Sequence, residues 1–347
     1  MPAPAPADPA PPPAGTAKTL QFNNNTLLPL LLGAHDRNLV RIEQALGVRL
    51  SCRGNRIAIA GEAEKVEATQ ALLQGLWRKL EQGKIIARPD IETAIRLANE
   101  QTDPRLPLAD MPAIRTRRGA VGPRSQGQAA YIDALARFEM VFAVGPAGTG
   151  KTYLAVAQAV AMLQAGKVDR IVLSRPAVEA GERLGFLPGD MKEKVDPYLR
   201  PLYDALHDMM PADQVTRRIT SGEIEVAPLA FMRGRTLAHA YAILDEAQNT
   251  TAMQMKMFLT RMGEGTRMVI TGDLTQIDLP TGTSSGLRDA LETVEDVPGI
   301  AVARFDKRDV VRHPLVARIV DAYDQRDTAA GEQRREVRVS RTGPADR

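Results

Sequence analysis

Gly145-Pro146-Ala147-Gly148-Thr149-Gly150-Lys151-Thr152 decides the fold of this 347-residue chain. The stretch fits G-x-x-x-x-G-K-[ST], the phosphate-binding loop that joins a strand to a helix. Both flanks agree. Met140-Val141-Phe142-Ala143-Val144 reads as a short buried strand. Tyr153 to Gln164 reads as a helix with Leu154, Val156, Ala157, Val160 and Leu163 on its apolar positions. The glycines let backbone N–H groups curl around a phosphate chain without Cβ clashes. The helix that follows points its positive end at the same phosphates. Lys151 is expected to reach the β- and γ-phosphates of ATP, and the Thr152 hydroxyl to bind Mg²⁺. All eight residues from Gly145 to Thr152 are therefore candidate nucleotide-binding positions.

A second acidic strand is needed, and Tyr241-Ala242-Ile243-Leu244-Asp245-Glu246 supplies it. Four apolar residues end in an acidic pair at the strand's carboxyl edge. Asp245 is expected to hold Mg²⁺ through water and Glu246 to orient or deprotonate the attacking water. A third strand, Arg267 to Asp273, is followed by Gln276, which suits a sensor of the γ-phosphate and the attacking water. Upstream, Gln128 opens a helix over Tyr131–Phe138 and is the candidate reader of the adenine edge. No guanine-reading N-K-x-D motif is visible. The expected fold is α/β, a doubly wound parallel sheet with strands near 140–144, 170–174, 224–227, 241–245 and 268–272. The site lies at their carboxyl ends.

Composition narrows the class. Hydrophobic residues make up 44% of the chain, ordinary for a globular protein of roughly two domains. Cys52 is the single cysteine, so an intramolecular disulfide is excluded. His35, His207, His239 and His313 have no metal-ligand spacing. No apolar run reaches the roughly 20 residues of a membrane span, so no membrane role is expected and a cytoplasmic place is. The formal net charge of +3 permits a nucleic-acid partner without requiring one.

Five zones are expected. Residues 1–18 form an extended Pro/Ala tail, disordered by composition. Residues 19–84 form a small α/β unit, 85–125 a linker with a helical patch at Ile91–Asn99, and 126–325 the ATPase domain. Residues 326–347 form a charged tail. The small unit reads β-α-α-β-β-α. Its hairpin turns at Arg53-Gly54-Asn55, and its last helix runs Glu62–Leu80. That order, with Ile42-Glu43 and Gly47-Val48, resembles a KH domain, a module for single-stranded RNA. KH domains clamp the nucleotide backbone with a G-x-x-G loop. Here the loop is Gly33-Ala34-His35-Asp36, and Asp36 puts a negative charge and a side chain where the second glycine belongs. Two uses stay open for the unit, RNA binding aided by Arg37, Arg41, Arg49, Arg53 and Arg56, or protein contacts.

Several blocks together closely resemble the PhoH family of P-loop ATPases. They are Gly145–Thr152, Arg175–Glu182, Leu184–Asp190, Asp196–Pro201, Ile243–Thr251, Thr271–Pro280 and Asp309–Pro314. The resemblance covers about 200 residues and implies a RecA- and helicase-like core that binds ATP and Mg²⁺. It also implies a cytoplasmic, phosphate-starvation-linked protein of RNA metabolism. That role includes ribosomal RNA maturation beside a separate endoribonuclease. The KH-like unit is similar to that of the family's longer bacterial members. Too few residues follow Pro280 for a second helicase lobe, so an arginine finger is expected from a neighbouring subunit or partner. A homo-oligomeric ring, such as a hexamer, follows, with Arg312, Arg308 and Arg175 as finger candidates. Two functions are carried forward. One is an ATPase that remodels RNA or ribonucleoprotein. The other is a nucleotide-gated adaptor that binds ATP with little turnover and recruits a nuclease or ribosomal partner.

Overall fold

The computed structural model of the protein describes residues 16–100, 112–176, 191–311, 315, 316, 318 and 319. Most of the 1–18 tail, the 326–347 tail, the block 177–190 and Arg312-His313-Pro314 lie outside the described residues.

In the N-terminal part, β1 (Thr16–Gln21), β2 (Arg49–Arg53) and β3 (Arg56–Gly61) form an antiparallel sheet of order β1-β3-β2. Arg53 pairs with Arg56 across the two-residue turn Gly54-Asn55, and Gly54 takes φ +61° as such a turn requires. Helices α1 (Leu28–Leu32) and α2 (Arg37–Leu46) precede β2, and α3 (Ala63–Glu81) follows β3. The elements therefore run β-α-α-β-β-α. The apolar positions of α3 explain its packing: Val66, Leu72, Leu73 and Leu76 are buried, and Trp77 meets Phe22 at 4.6 Å between ring centres. Each such side chain contributes about 1.5–3 kcal/mol of burial.

The 85–125 stretch holds more order than a linker. Helix α4 (Arg88–Glu100) buries Ile91, Ala94, Ile95 and Ala98 in the same core as α2 and α3. Arg41 on α2 donates twice to the Glu92 carboxylate, both at 3.0 Å, and these bonds hold that carboxyl below its usual range. A hairpin follows, β4 (Ile114–Thr116) and β5 (Gly119–Val121), with Ile114 buried in the main core. Its basic turn is engaged rather than free. Arg117 donates to Gln214 Oε1 at 3.3 Å, and Arg118 to the His207 carbonyl at 2.8 Å.

The main part is a parallel sheet between two helical layers. Its strands are β6 (Met140–Val144), β7 (Arg170–Arg175), β8 (Ile224–Pro228), β9 (Ala240–Leu244), β10 (Arg267–Gly272) and β11 (Ile300–Arg304). Their order is β11-β6-β10-β9-β7-β8. Helices α5 (Gln126–Arg137), α6 (Lys151–Gln164), α7 (Met191–Met209) and α8 (Ala212–Thr220) take part in one core. Helices α9 (Ala252–Leu259) and α10 (Gly286–Val294) take part in the other. Strand β6 shows why the two cores separate. Val141 and Ala143 face the first and Met140 and Phe142 the second, the alternation a pleated strand imposes. The five expected strands are present, and the sheet has a sixth, β11, pairing in parallel with β6 at Ile300↔Met140 through Arg304↔Val144. Strand β11 is half-buried, and Ile300 and Val302 are its only large apolar side chains, so its apolar signal is weak. No helix among the described residues is long and apolar enough to cross a membrane.

Candidate functional site

Four parallel strands deliver the site from their carboxyl ends, where open α/β sheets bind ligands. Strand β6 runs into the Gly145–Thr152 loop. Gly145, Gly148 and Gly150 all take positive φ, at +150°, +84° and +80°. A Cβ on Gly145 would lie 2.5 Å from the Phe305 carbonyl oxygen, so only glycine fits there. The loop is pinned from both sides: Gly145 N donates to Gly272 O at 3.1 Å, and Val311 N donates to Gly148 O at 2.9 Å. Thr149 Oγ1 closes it further by donating to Pro146 O at 2.9 Å.

Lys151 is buried in this loop, and its Nζ donates to the carbonyls of Gly145 and Pro146 at 2.7 and 2.8 Å. Burial lowers the pKa of its ammonium, while the carboxylates of Asp273, Asp245 and Glu246 pull the other way. The amine therefore sits in a field of three acids at the loop's centre. Thr152 and Asp245 meet directly, the hydroxyl donating to Asp245 Oδ1 at 2.6 Å. Thr271, at the end of β10, donates to the same oxygen at 2.6 Å. These oxygens suit a hard divalent cation shared with phosphate and water. No cluster of three or more His, Cys, Asp or Glu with metal-holding geometry occurs among the described residues. Thr152 and Asp245 therefore fit such an ion only together with ligand oxygens.

Glu246 stands next, after β9, in the left-handed region at φ +52°, ψ +39°. A non-glycine residue held there costs about 1–3 kcal/mol, and such strain gathers at functional sites. Two partners hold it. Arg175, the last residue of β7, pairs with Glu246 Oε1 at 3.0 Å. Gln248 Nε2 donates to Oε2 at 2.6 Å. The same Gln248 amide donates to Gln276 O at 3.1 Å and accepts from Asp273 N at 3.0 Å, tying the ends of β9 and β10 together. The Gln276 side chain is exposed and donates to Asp273 Oδ2 at 2.8 Å.

The expected residues Lys151, Thr152, Asp245, Glu246 and Gln276 thus meet around one loop. Gln128 is there too, but its amide is engaged at both ends. Oε1 accepts from Arg124 N at 2.7 Å, and Nε2 donates to Thr149 O at 2.9 Å. Through these bonds it braces the phosphate loop, at the edge of which the sequence expects a reader of the base. Among the arginines, Arg175 faces Glu246 of its own chain. Arg308 is exposed and pairs with Asp306, its Nε and Nη2 both donating to Oδ2. Arg312 lies outside the described residues. Sequence reading missed Gln248, Thr271 and Asp273. Gln248 stands two residues beyond the acidic pair, a spacing that in hindsight is its only signal.

The model of the family described as PhoH-like protein matches residues 120–324. A PhoH-like protein of Bacillus subtilis (strain 168) is 49% identical over 299 residues, 86% of this chain and 94% of the Bacillus protein. A PhoH-like protein of Mycobacterium tuberculosis (strain H37Rv) is 50% identical over 298 residues, 84% of each chain. The protein named Protein PhoH in Escherichia coli (strain K12) is 48% identical over 202 residues, 58% of this chain and 57% of its own.

Proposed function

The chain belongs to the PhoH-like family, and we propose on that footing that it binds and hydrolyses ATP in RNA metabolism. The observation that carries the reading is the meeting of Thr152, Asp245 and the strained Glu246 at the mouth of a loop that cradles Lys151. Lys151 exchanges its carbonyl partners for the β- and γ-phosphates. Thr152 and Asp245 hold Mg²⁺, which offsets phosphate charge when bound. Glu246 orients a water toward the γ-phosphorus and takes its proton, so that ADP and inorganic phosphate leave. Gln276 stands three residues past Asp273 and turns to the γ-phosphate once its hydrogen bond to that carboxylate is released. Arg175 acts on Glu246 as a positioning residue. Arg175→Ala is expected to lower kcat roughly tenfold with KM little changed, the size of effect typical for outer-shell partners. Steady-state ATPase kinetics check it, and a change confined to KM overturns the assignment.

The N-terminal unit supports the RNA part of the proposal. Its β-α-α-β-β-α order agrees with the order expected for a KH-like unit, and Asp36 takes φ +55°, a conformation glycine adopts readily. The exposed arginines at 37, 49, 53 and 56 offer phosphate contacts, whereas Arg41 is taken by Glu92. The remodelled substrate on this reading is RNA or ribonucleoprotein, with a separate endoribonuclease or ribosomal particle as partner. A homo-oligomeric ring, with a finger from the neighbour, completes the site, and the compartment is the cytoplasm.

A second reading has its own observation. Glu246 is tied to Arg175 and Gln248, a geometry in which the base is held back. An adaptor that keeps ATP bound and turns it over slowly fits that arrangement. ATP hydrolysis by the purified full chain, with and without single-stranded RNA, separates the two. Stimulation of tenfold or more supports the remodelling ATPase. Bound ATP with negligible turnover in every sample supports the adaptor and overturns the motor.

A further inference from the structure

Two cavities lie between the N-terminal part and the phosphate loop. One, of about 540 Å³, runs from Gly148 and Gly150 past Arg124 and Tyr153 to Asp90 and Thr93 on α4. The other, of about 430 Å³, continues between α3, α4 and the β4–β5 hairpin and shares Asp90 and Thr93 with the first. Both sizes fall in the roughly 300–1,000 Å³ range of small-ligand pockets.

Tyr153 directly follows the Lys151-Thr152 pair, in the first turn of α6. It is 39% exposed, although Leu154 and Ala155 beside it are buried. Burial raises its phenol pKa, Asp208 adds to the rise, and the nearby Arg124 guanidinium opposes it, so the ring is a neutral aromatic face beside a cation. Helix α4 is fixed over the same cleft. Arg96 Nη1 donates to Val310 O at 3.1 Å, and the next residue, Val311, donates its N–H to Gly148 O at 2.9 Å. The roof is therefore fastened to the phosphate loop itself. Lys79, which lines both cavities, pairs with Asp90 at 3.3 Å and closes one side of the cleft.

We infer that this cleft is the nucleoside subsite, with the purine stacked on Tyr153 under a roof supplied by α4 of the N-terminal part. The inference rests on the nucleotide-binding reading above and adds the place of the base. A phosphate chain cradled by Gly148–Thr152 meets Asp245 and Glu246 at one end. Its other end leaves the loop on the side where Gly148 and Gly150 border the cavity. The Gln128 amide spends one N–H and one lone pair on the loop and its approach, and the exposed Tyr153 ring beside it supplies an aromatic face that stacks on any purine. Residues more than fifty positions apart in sequence, on α4 and α6, thus build one site.

The test is calorimetric titration of the full chain with MgATP and, separately, with Mg-tripolyphosphate, which has the phosphates and no nucleoside. Tyr153→Ala is expected to weaken MgATP binding roughly tenfold, with tripolyphosphate affinity within about twofold of wild type. Tyr153→Phe, which keeps the ring, restores ATP affinity. Thr93→Trp, which fills the roof, weakens ATP and leaves tripolyphosphate unchanged. The retained tripolyphosphate affinity shows that each variant is folded. If wild type binds ATP and neither Tyr153→Ala nor Thr93→Trp alters the ratio of the two affinities, the subsite is overturned and nucleotide binding stands. If Thr93→Trp alone leaves that ratio unaltered, the roof is overturned. If wild type binds neither probe, the nucleotide reading falls and takes the subsite with it.

Discussion

Glu246→Gln should leave a protein that binds ATP with near-native affinity and hydrolyses it at least about a hundredfold more slowly. The substitution is isosteric, and the glutamine carbonyl can still accept from Arg175 or Gln248, so the loop after β9 keeps its shape. What disappears is the carboxylate. Positioned general bases contribute about 10²- to 10⁴-fold, and an amide cannot take the proton of the attacking water. The left-handed backbone at Glu246 is a reason to expect a clean separation of binding from turnover. Glutamine meets the same left-handed backbone as glutamate, so the substitution leaves that strain unchanged. Single-turnover hydrolysis beside equilibrium ATP binding measures both quantities on one sample. Turnover within a few-fold of wild type would remove Glu246 from the chemistry. Loss of ATP binding would instead make it a structural acid.

Gly145→Ala is the second large effect, and it acts through the fold. The new methyl group would meet the Phe305 carbonyl oxygen at 2.5 Å and Phe305 Cβ at 2.7 Å, in a backbone with φ +150°. Neither neighbour can yield cheaply. Phe305 N donates to Val144 O at 2.8 Å, and its ring packs edge-on against Tyr131 at 5.4 Å. Overpacking of this kind costs about 1–3 kcal/mol, and a strained φ for alanine adds a similar amount. A loss of about 3 kcal/mol lowers the melting temperature by roughly 6–12 °C for a domain of this size. ATP binding should be lost as well, because the loop must open to admit the methyl group. Gly166→Ala is the control. Gly166 also takes positive φ, at +66°, but a Cβ there meets nothing within 4 Å. Its melting temperature should fall much less, with ATP binding intact. Equal losses in the two variants would mean that the contact with Phe305 is unimportant.

The parts of the site that could be read in the sequence are those written as contiguous runs. The phosphate loop announces itself because its glycines, lysine and threonine are local requirements of one turn. Strand β9 is fully buried and β10 is buried from Met268 onward, so Ala240–Leu244 and Met268–Ile270 appear as apolar runs shortly before acids. Strand β11 lies at the sheet edge with intermediate burial, and nothing forces its residues to be large and apolar. The hairpin at Ile114–Val121 was hidden for a related reason. Its strands are three residues each, and its arginines read as a basic stretch while they in fact hold α7 and α8. Gln248 and Arg175 illustrate a further limit. Their roles exist only because β7, β9 and β10 end side by side, an adjacency of strands far apart in sequence. Likewise the helical patch at Ile91–Asn99 was legible as a helix, but not that its apolar face completes the N-terminal core or that Arg96 reaches Val310.

The position of β6 between β10 and β11 has a consequence for the protein's birth on the ribosome. The phosphate loop is made early, yet the backbone that shapes it comes late: Gly272 against Gly145, Phe305 against the same glycine, and Val311 against Gly148. At a translation rate of roughly 5–20 residues per second, the interval between the two is on the order of 10–30 s. Throughout it, the nascent chain carries the whole Gly145–Thr152 signature without the partners that close it. On the proposed nucleotide-binding reading, ATP meets the complete loop only after β11 and Val311 have been made.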